Sequence, residues 1–181
     1  KELGISDDYS ITAEPTAWGG PVNPDASGNL PEWGMNLSVA NAGHCLVEIA
    51  VTGEKGHIWR PDVVVNPINT AAVLLPLLET MNFIHVADPF PGHTQPCVTV
   101  VRIRGGLPGE MQFSPDTCVI TLAVVGIVPG MTMETILTDI GKVTRSVTEE
   151  SNRINASVSQ VAGSLFVEAT DPVPMDQEPC I

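Results

Sequence analysis

Alternation of apolar and polar residues is clearest from Cys45, where Cys45, Val47, Ile49 and Val51 fall on one side and Leu46, Glu48, Ala50 and Thr52 on the other. That period of two is the mark of a strand with one buried face. Asn66 followed by Pro67 predicts a helix start, because the asparagine side chain can accept from orphan backbone donors while proline at the first helical position loses no needed donor. The helix should run to about Met81, with Ile68, Ala72, Leu75 and Leu78 on one stripe and Leu74, Leu77 and Met81 on another. It is apolar around most of its girth, so one stripe should cover a sheet while the second needs another cover. Pro76 falls inside it and is expected to kink or shorten it. After a proline-containing loop, "CVTVVRIRGG" and "TCVITLAVVGIVPG" alternate again across the turn region "GGLPGEMQFSPD", and read as a hairpin. Thr132 is a candidate cap for a second helix whose Ile136, Ile140, Val143 and Val147 form an amphipathic stripe ending near Glu150. A last strand is expected in "GSLFVEATD".

The order β-α-β-β-α-β predicts an α+β, ferredoxin-like fold: a four-stranded antiparallel sheet with two helices on one face. Residues 1–44 read as an irregular approach, because "AWGGPVNPDASGNLPEWG" crowds glycine, proline, asparagine and aspartate together. The domain proper then spans 45–170, and 171–181 form a tail or return linker. The chain opens on Lys1, in mid-pattern and without an initiator methionine, so it is expected to be a piece of a longer protein.

Charge narrows the partners. Twenty-one acidic against eight basic side chains give a formal charge of −13, which repels a phosphate backbone and an anionic lipid surface. Nucleic acid and membrane are therefore not expected as partners, and no apolar run approaches the roughly 20 residues of a spanning helix. Cys45, Cys97, Cys118 and Cys180 form no CxxC pair; a reducing cytoplasm suits them better than a zinc knuckle.

Candidate chemistry concentrates in "VTGEKGHIWRP", where His57, one of four histidines, sits in a glycine-containing break between the first strand and the first helix. His44, His85 and His93 show no ligand spacing with one another or with a cysteine. The stretch "VEIAVTGEKGHIWRPDVVVNPINTAAVLLPLL", then "VVRIRGG", then "SPDTCVITLAVVGIVPG", resembles in order and spacing the lid, or dimerisation, domain of the zinc-dependent aminoacylase, carboxypeptidase G and succinyl-diaminopimelate desuccinylase type peptidases. The resemblance covers about residues 45–150, and "AEPT" at Ala13 to Thr16 looks like the metal-ligand segment that precedes the lid. It implies a parent enzyme with a two-metal zinc site that hydrolyses N-acyl amino acids or small peptides through a metal-activated water. Glu14 matches a carboxylate ligand of that site, and His57 matches the lid histidine that reaches across a homodimer to stabilise the oxyanion in the partner's active site.

Departures from the family pattern are equally specific. Gln112 stands where an asparagine is usual three residues before the proline, keeping an amide that could bind substrate or backbone. Val125, Gly126 and Ile127 replace a common Asp-x-Arg pattern. The family's His-x-Asp motif, its paired catalytic glutamates and its later metal-binding histidine are missing; Glu149-Glu150 lies at a helix end instead. The chain alone is therefore expected to bind no metal and hydrolyse nothing. The alternative is a non-enzymatic dimerisation or amino-acid-binding regulatory module of the same build, with no part for Glu14.

Overall fold

The computed structural model describes residues 42–86, 95–106, 108–109, 111–149 and 151–170. In chain order these form β1 (Gly43–Thr52), β2 (Gly56–His57), α1 (Pro67–Glu79), β3 (Cys97–Gly105), β4 (Phe113–Ser114), β5 (Thr117–Ile127), α2 (Met133–Thr148) and β6 (Asn155–Gln160). The fold is α+β: a four-stranded antiparallel sheet in the order β3-β5-β1-β6, accompanied by two helices. Glu14, His93, Glu150 and Cys180 lie outside the described residues.

The alternation read from the sequence sets the inner face. Cys45, Val47, Ile49 and Val51 on β1 pair with Val124, Leu122, Ile120 and Cys118 on β5, and all eight are buried. Removing this apolar surface from water is the main favourable term in the fold. Both helices contribute to the same core, through Ala71, Leu74 and Leu78 of α1 and Ile136 and Ile140 of α2. A bulge opens β5 opposite Gly43 and His44, with Gly126 at φ +73°. An L side chain rarely adopts that conformation, so at this position a glycine backbone does the structural work.

Capping follows the sequence. The Asn66 side chain accepts from the Ile68 N–H at 2.9 Å. At α2 the bonding is reciprocal: the Thr135 N–H donates to Thr132 Oγ1 at 3.2 Å and the Thr132 N–H donates to Thr135 Oγ1 at 3.0 Å. Together these satisfy donors that a helix start otherwise leaves bare. Asp139, buried on α2, accepts from the Ile84 N–H at 3.0 Å and from Lys142 Nζ at 2.7 Å, tying the segment after α1 to α2.

Four expectations change. The last strand is Asn155–Gln160, not "GSLFVEATD", which meets the sheet through the bridge between Val167 and His44 and through the Ser164 carbonyl, which accepts from Gln160 Nε2 at 2.9 Å. The true edge strand alternates weakly, with Ala156 and Val158 half-buried between polar residues. His44 belongs to β1 and not to a loop. α1 ends at Glu79, short of the expected Met81, with Pro76 inside it. The buried stripe of α1 is Pro67, Ala71, Leu74 and Leu78, leaving Ile68, Val73 and Leu77 exposed.

Leu74→Ala, which opens a cavity in the core, should lower stability in chemical denaturation by about 2–5 kcal/mol. Val86→Ala, at a fully exposed position after α1, should stay within about 0.5 kcal/mol of the parent.

Candidate functional site around His57

Where β1 ends, the chain is turned outward and pinned. The Gly53 N–H donates to the Asp116 carbonyl at 2.8 Å, and Glu54 and Val65 exchange backbone bonds of 2.9 and 3.3 Å. Gly53 cannot carry a side chain here, because a Cβ would come within 2.1 Å of the Val65 carbonyl oxygen. The two bonds between Glu54 and Val65 close the neck of a loop over residues 54–65, and His57 lies on its outgoing arm.

The loop is held by a second, smaller sheet. Gly56 and His57 on β2 pair with Ser114 and Phe113 on β4, and the Ile58 N–H donates to the Gln112 carbonyl at 3.0 Å. The structure thus brings the Gln112 backbone beside the His57 segment, while its side chain is exposed. The half-buried imidazole stands edge-on to two rings, 5.2 Å from Phe113 and 6.4 Å from Trp59 between centroids. Lys55 Nζ lies 5.4 Å from the Phe113 centroid, within range of a cation–π attraction.

One hydrogen bond decides what the imidazole can do. His57 Nδ1 accepts the Trp59 backbone N–H at 3.3 Å. In neutral imidazole one nitrogen accepts and the other carries the proton, so this contact assigns the proton to Nε2 and makes that atom a donor. Around it, Arg60 grips Asp62 through a two-pronged pair of 3.0 and 2.9 Å. That guanidinium holds the Asp62 carboxyl below its usual value.

A third segment reaches the loop from the turn after α2. Arg153 donates Nε to Glu54 Oε1 at 3.0 Å and Nη2 to Glu54 Oε2 at 2.5 Å, and Nη2 also reaches the Val63 carbonyl at 2.6 Å. Its guanidinium lowers the Glu54 carboxyl from its ordinary value.

Other chemistry is sparse. Among the described residues no group of three or more His, Cys, Asp or Glu could hold a metal ion, and no helix is long and apolar enough to cross a membrane. Burial pushes the Cys45 thiol up to about 11 and raises that of Cys118, so neither is poised as a nucleophile. A shallow groove of about 530 Å³ between α2 and β6, lined by Met133, Leu137, Gly141, Arg145, Ala156 and Val158 among others, shares no residue with the His57 loop.

No family model matches the sequence. Among solved structures, a protein named as an aminohydrolase from methicillin-resistant Staphylococcus aureus superposes with a TM-score of 0.52 at 18% identity, over 67% of this chain and 30% of the other. An aminobenzoyl-glutamate utilization protein from Klebsiella pneumoniae gives 0.54 at 12% identity, over 73% of this chain and 31% of the other. This chain has the fold of one segment of each. It spans about three tenths of the length of the proteins that it matches.

The sequence reading singled out His57 and Gln112 but missed Phe113, Trp59, Glu54 and Arg153. Pairing of β2 with β4 involves two residues on each strand, too few to leave a periodic signal. Aromatic residues make up only 4% of the chain, and that scarcity is the one sequence feature that could have drawn attention to Trp59 and Phe113 near His57.

Because the Glu54 carboxyl is lowered in the folded chain, its pairing with Arg153 contributes fully above the ordinary carboxylate range and is lost as pH falls through the lowered value. Amide exchange at Val65, corrected for intrinsic rates, should therefore accelerate on acidification. Glu54→Gln should flatten that profile.

Proposed function

We propose that this chain is the lid and dimerisation segment, ferredoxin-like in topology, of a zinc-dependent amidohydrolase that cleaves N-acyl amino acids or small peptides. The observation that carries the reading is the engaged Nδ1 of His57, which leaves Nε2–H as a donor on a braced loop. A fixed donor is suited to the negative charge that gathers on a carbonyl oxygen as water attacks, since it need not reorganise at the moment of reaction. The strand order β3-β5-β1-β6 and the likeness to one segment of a larger aminohydrolase support the same reading.

The metal would be held elsewhere in the parent, since the described residues contain no ligand cluster. Glu14 is assigned as one carboxylate ligand there, and Gln112 as an amide that contacts substrate beside His57. When bound, the metals would supply the activated water. The part of this chain is to present the Nε2 proton, and Phe113 and Trp59 limit the rotation of the ring that bears it.

His57 acts in trans in this reading, which requires two lids to pair. The surface for pairing is α1 with the edge strand β3: α1 packs beside β3, and Val73, Leu77, Val101 and Ile103 are exposed across them. An uncovered apolar face next to a bare strand edge is the kind of surface that a twofold partner closes. The thiols of Cys45, Cys97 and Cys118 are free, which supports a cytoplasmic setting.

His57→Ala in the whole hydrolase should lower kcat about a hundredfold, the scale of losing one oxyanion donor, with metal content unchanged by elemental analysis. Loss of metal with the activity would overturn the assignment of His57. The 181-residue chain should scatter light as a dimer across a dilution series, and Val73→Asp combined with Val101→Lys should give a monomer. A monomeric parent chain would overturn the pairing.

A further inference from the structure

We propose that Arg153 is the positioning residue of the His57 loop, a clamp that fixes where the imidazole donor stands; this rests on the reading of His57 as an oxyanion donor. The loop has two arms, Glu54 on the outgoing and Val63 on the returning one. Arg153 bonds both at once, through the carboxylate of Glu54 and the carbonyl of Val63. Its partners lie 99 and 90 residues away in the chain, so the clamp belongs to the tertiary fold.

The anchor of Arg153 is firm. The next residue, Ile154, is buried in the core. The turn that carries Arg153 is held by the Ser151 N–H donating to the Thr148 carbonyl and the Ile154 N–H donating to the Ser151 carbonyl, both at 3.3 Å. Two residues on, Asn155 pairs with Thr52 at the end of β1. Arg153 therefore stands on the sheet edge at the mouth of the loop, and its planar fork transmits the position of the core to both arms.

The remaining contacts do not substitute for it. The neck bonds between Glu54 and Val65 fix the base of the loop, and β4 grips only the outgoing arm at Gly56 and His57. The returning arm from Val63 to Val65 would lose its link to the α2–β6 turn without the guanidinium. Lysine is not an equivalent replacement, since a single ammonium lacks the two-pronged carboxylate geometry and the simultaneous reach to a carbonyl.

The test is a double-mutant cycle in the whole hydrolase, reading kcat, KM and metal content. Arg153→Ala should lower kcat about tenfold with KM and metal content little changed, as expected when a catalytic group is misplaced by less than an ångström or so. Arg153→Lys should fall between, and His57→Ala with Arg153→Ala should be no slower than His57→Ala alone. A double variant slower by the product of the two single effects, or an Arg153→Ala enzyme with parental kcat beside a slow His57→Ala enzyme, overturns the proposal. A His57→Ala enzyme with parental kcat overturns the oxyanion reading instead. The clamp is then judged in this chain alone: faster amide exchange at Ile58 and Val65 in Arg153→Ala supports it, and unchanged exchange overturns it.

Discussion

Everything in this molecule depends on the register between β1 and β5. Val47 opposite Leu122 and Ile49 opposite Ile120 put four large apolar side chains on one face at the centre of the sheet. A slip of one residue would turn Leu46, Glu48 and Ala50 inward and leave the core exposed, so the pattern admits one pairing. The same register ends with Thr52 opposite Thr117, and the next backbone bond, from Gly53 to Asp116, starts the His57 loop. Core packing and placement of the candidate site are thus one constraint read at two ends of the same strand pair.

From that end of the sheet, two connections leave side by side. One links β1 to α1 and carries His57; the other links β3 to β5 and carries Gln112 and Phe113. Because β3 and β5 are neighbours and β5 is next to β1, their loops are close enough to form the short β2–β4 ribbon. A loop with so few apolar contacts depends on such cross-links for its order. The exposed ion pair between Arg153 and Glu54 matters less for global stability than for geometry, since surface pairs contribute little to folding.

At the other end of β5 the backbone, and not a side chain, sets the local shape. Gly126 takes a left-handed conformation in a bulge opposite the start of β1. Where the resemblance read from the sequence implies an Asp-x-Arg pattern, this segment is given to backbone shape. Substrate contact therefore falls to the His57 and Gln112 end in the proposed function, and the outer face of α1 with β3 is left to pair with a second copy.

The sequence by itself determined the elements whose side chains repeat: the inward face of β1, the β3–β5 hairpin, the Asn66 and Thr132 caps and the Ile136/Ile140 stripe of α2. Each rests on local periodicity or on a bond within a few residues, which a linear reading can see. Resemblance to a family pointed to His57 and Gln112, but nothing in the residues themselves told that the two segments touch. Tertiary structure decided the rest. It chose Asn155–Gln160 as the fourth strand, because a partly polar edge strand is recruited by backbone pairing with β1 more than by its own pattern. It also chose which side of α1 is buried, since a helix apolar nearly all round presents several candidate faces and only the sheet and α2 select among them. Finally, it brought Arg153 to Glu54 and Val63 across 90 or more residues, a contact made by closure of the sheet and carried by no motif.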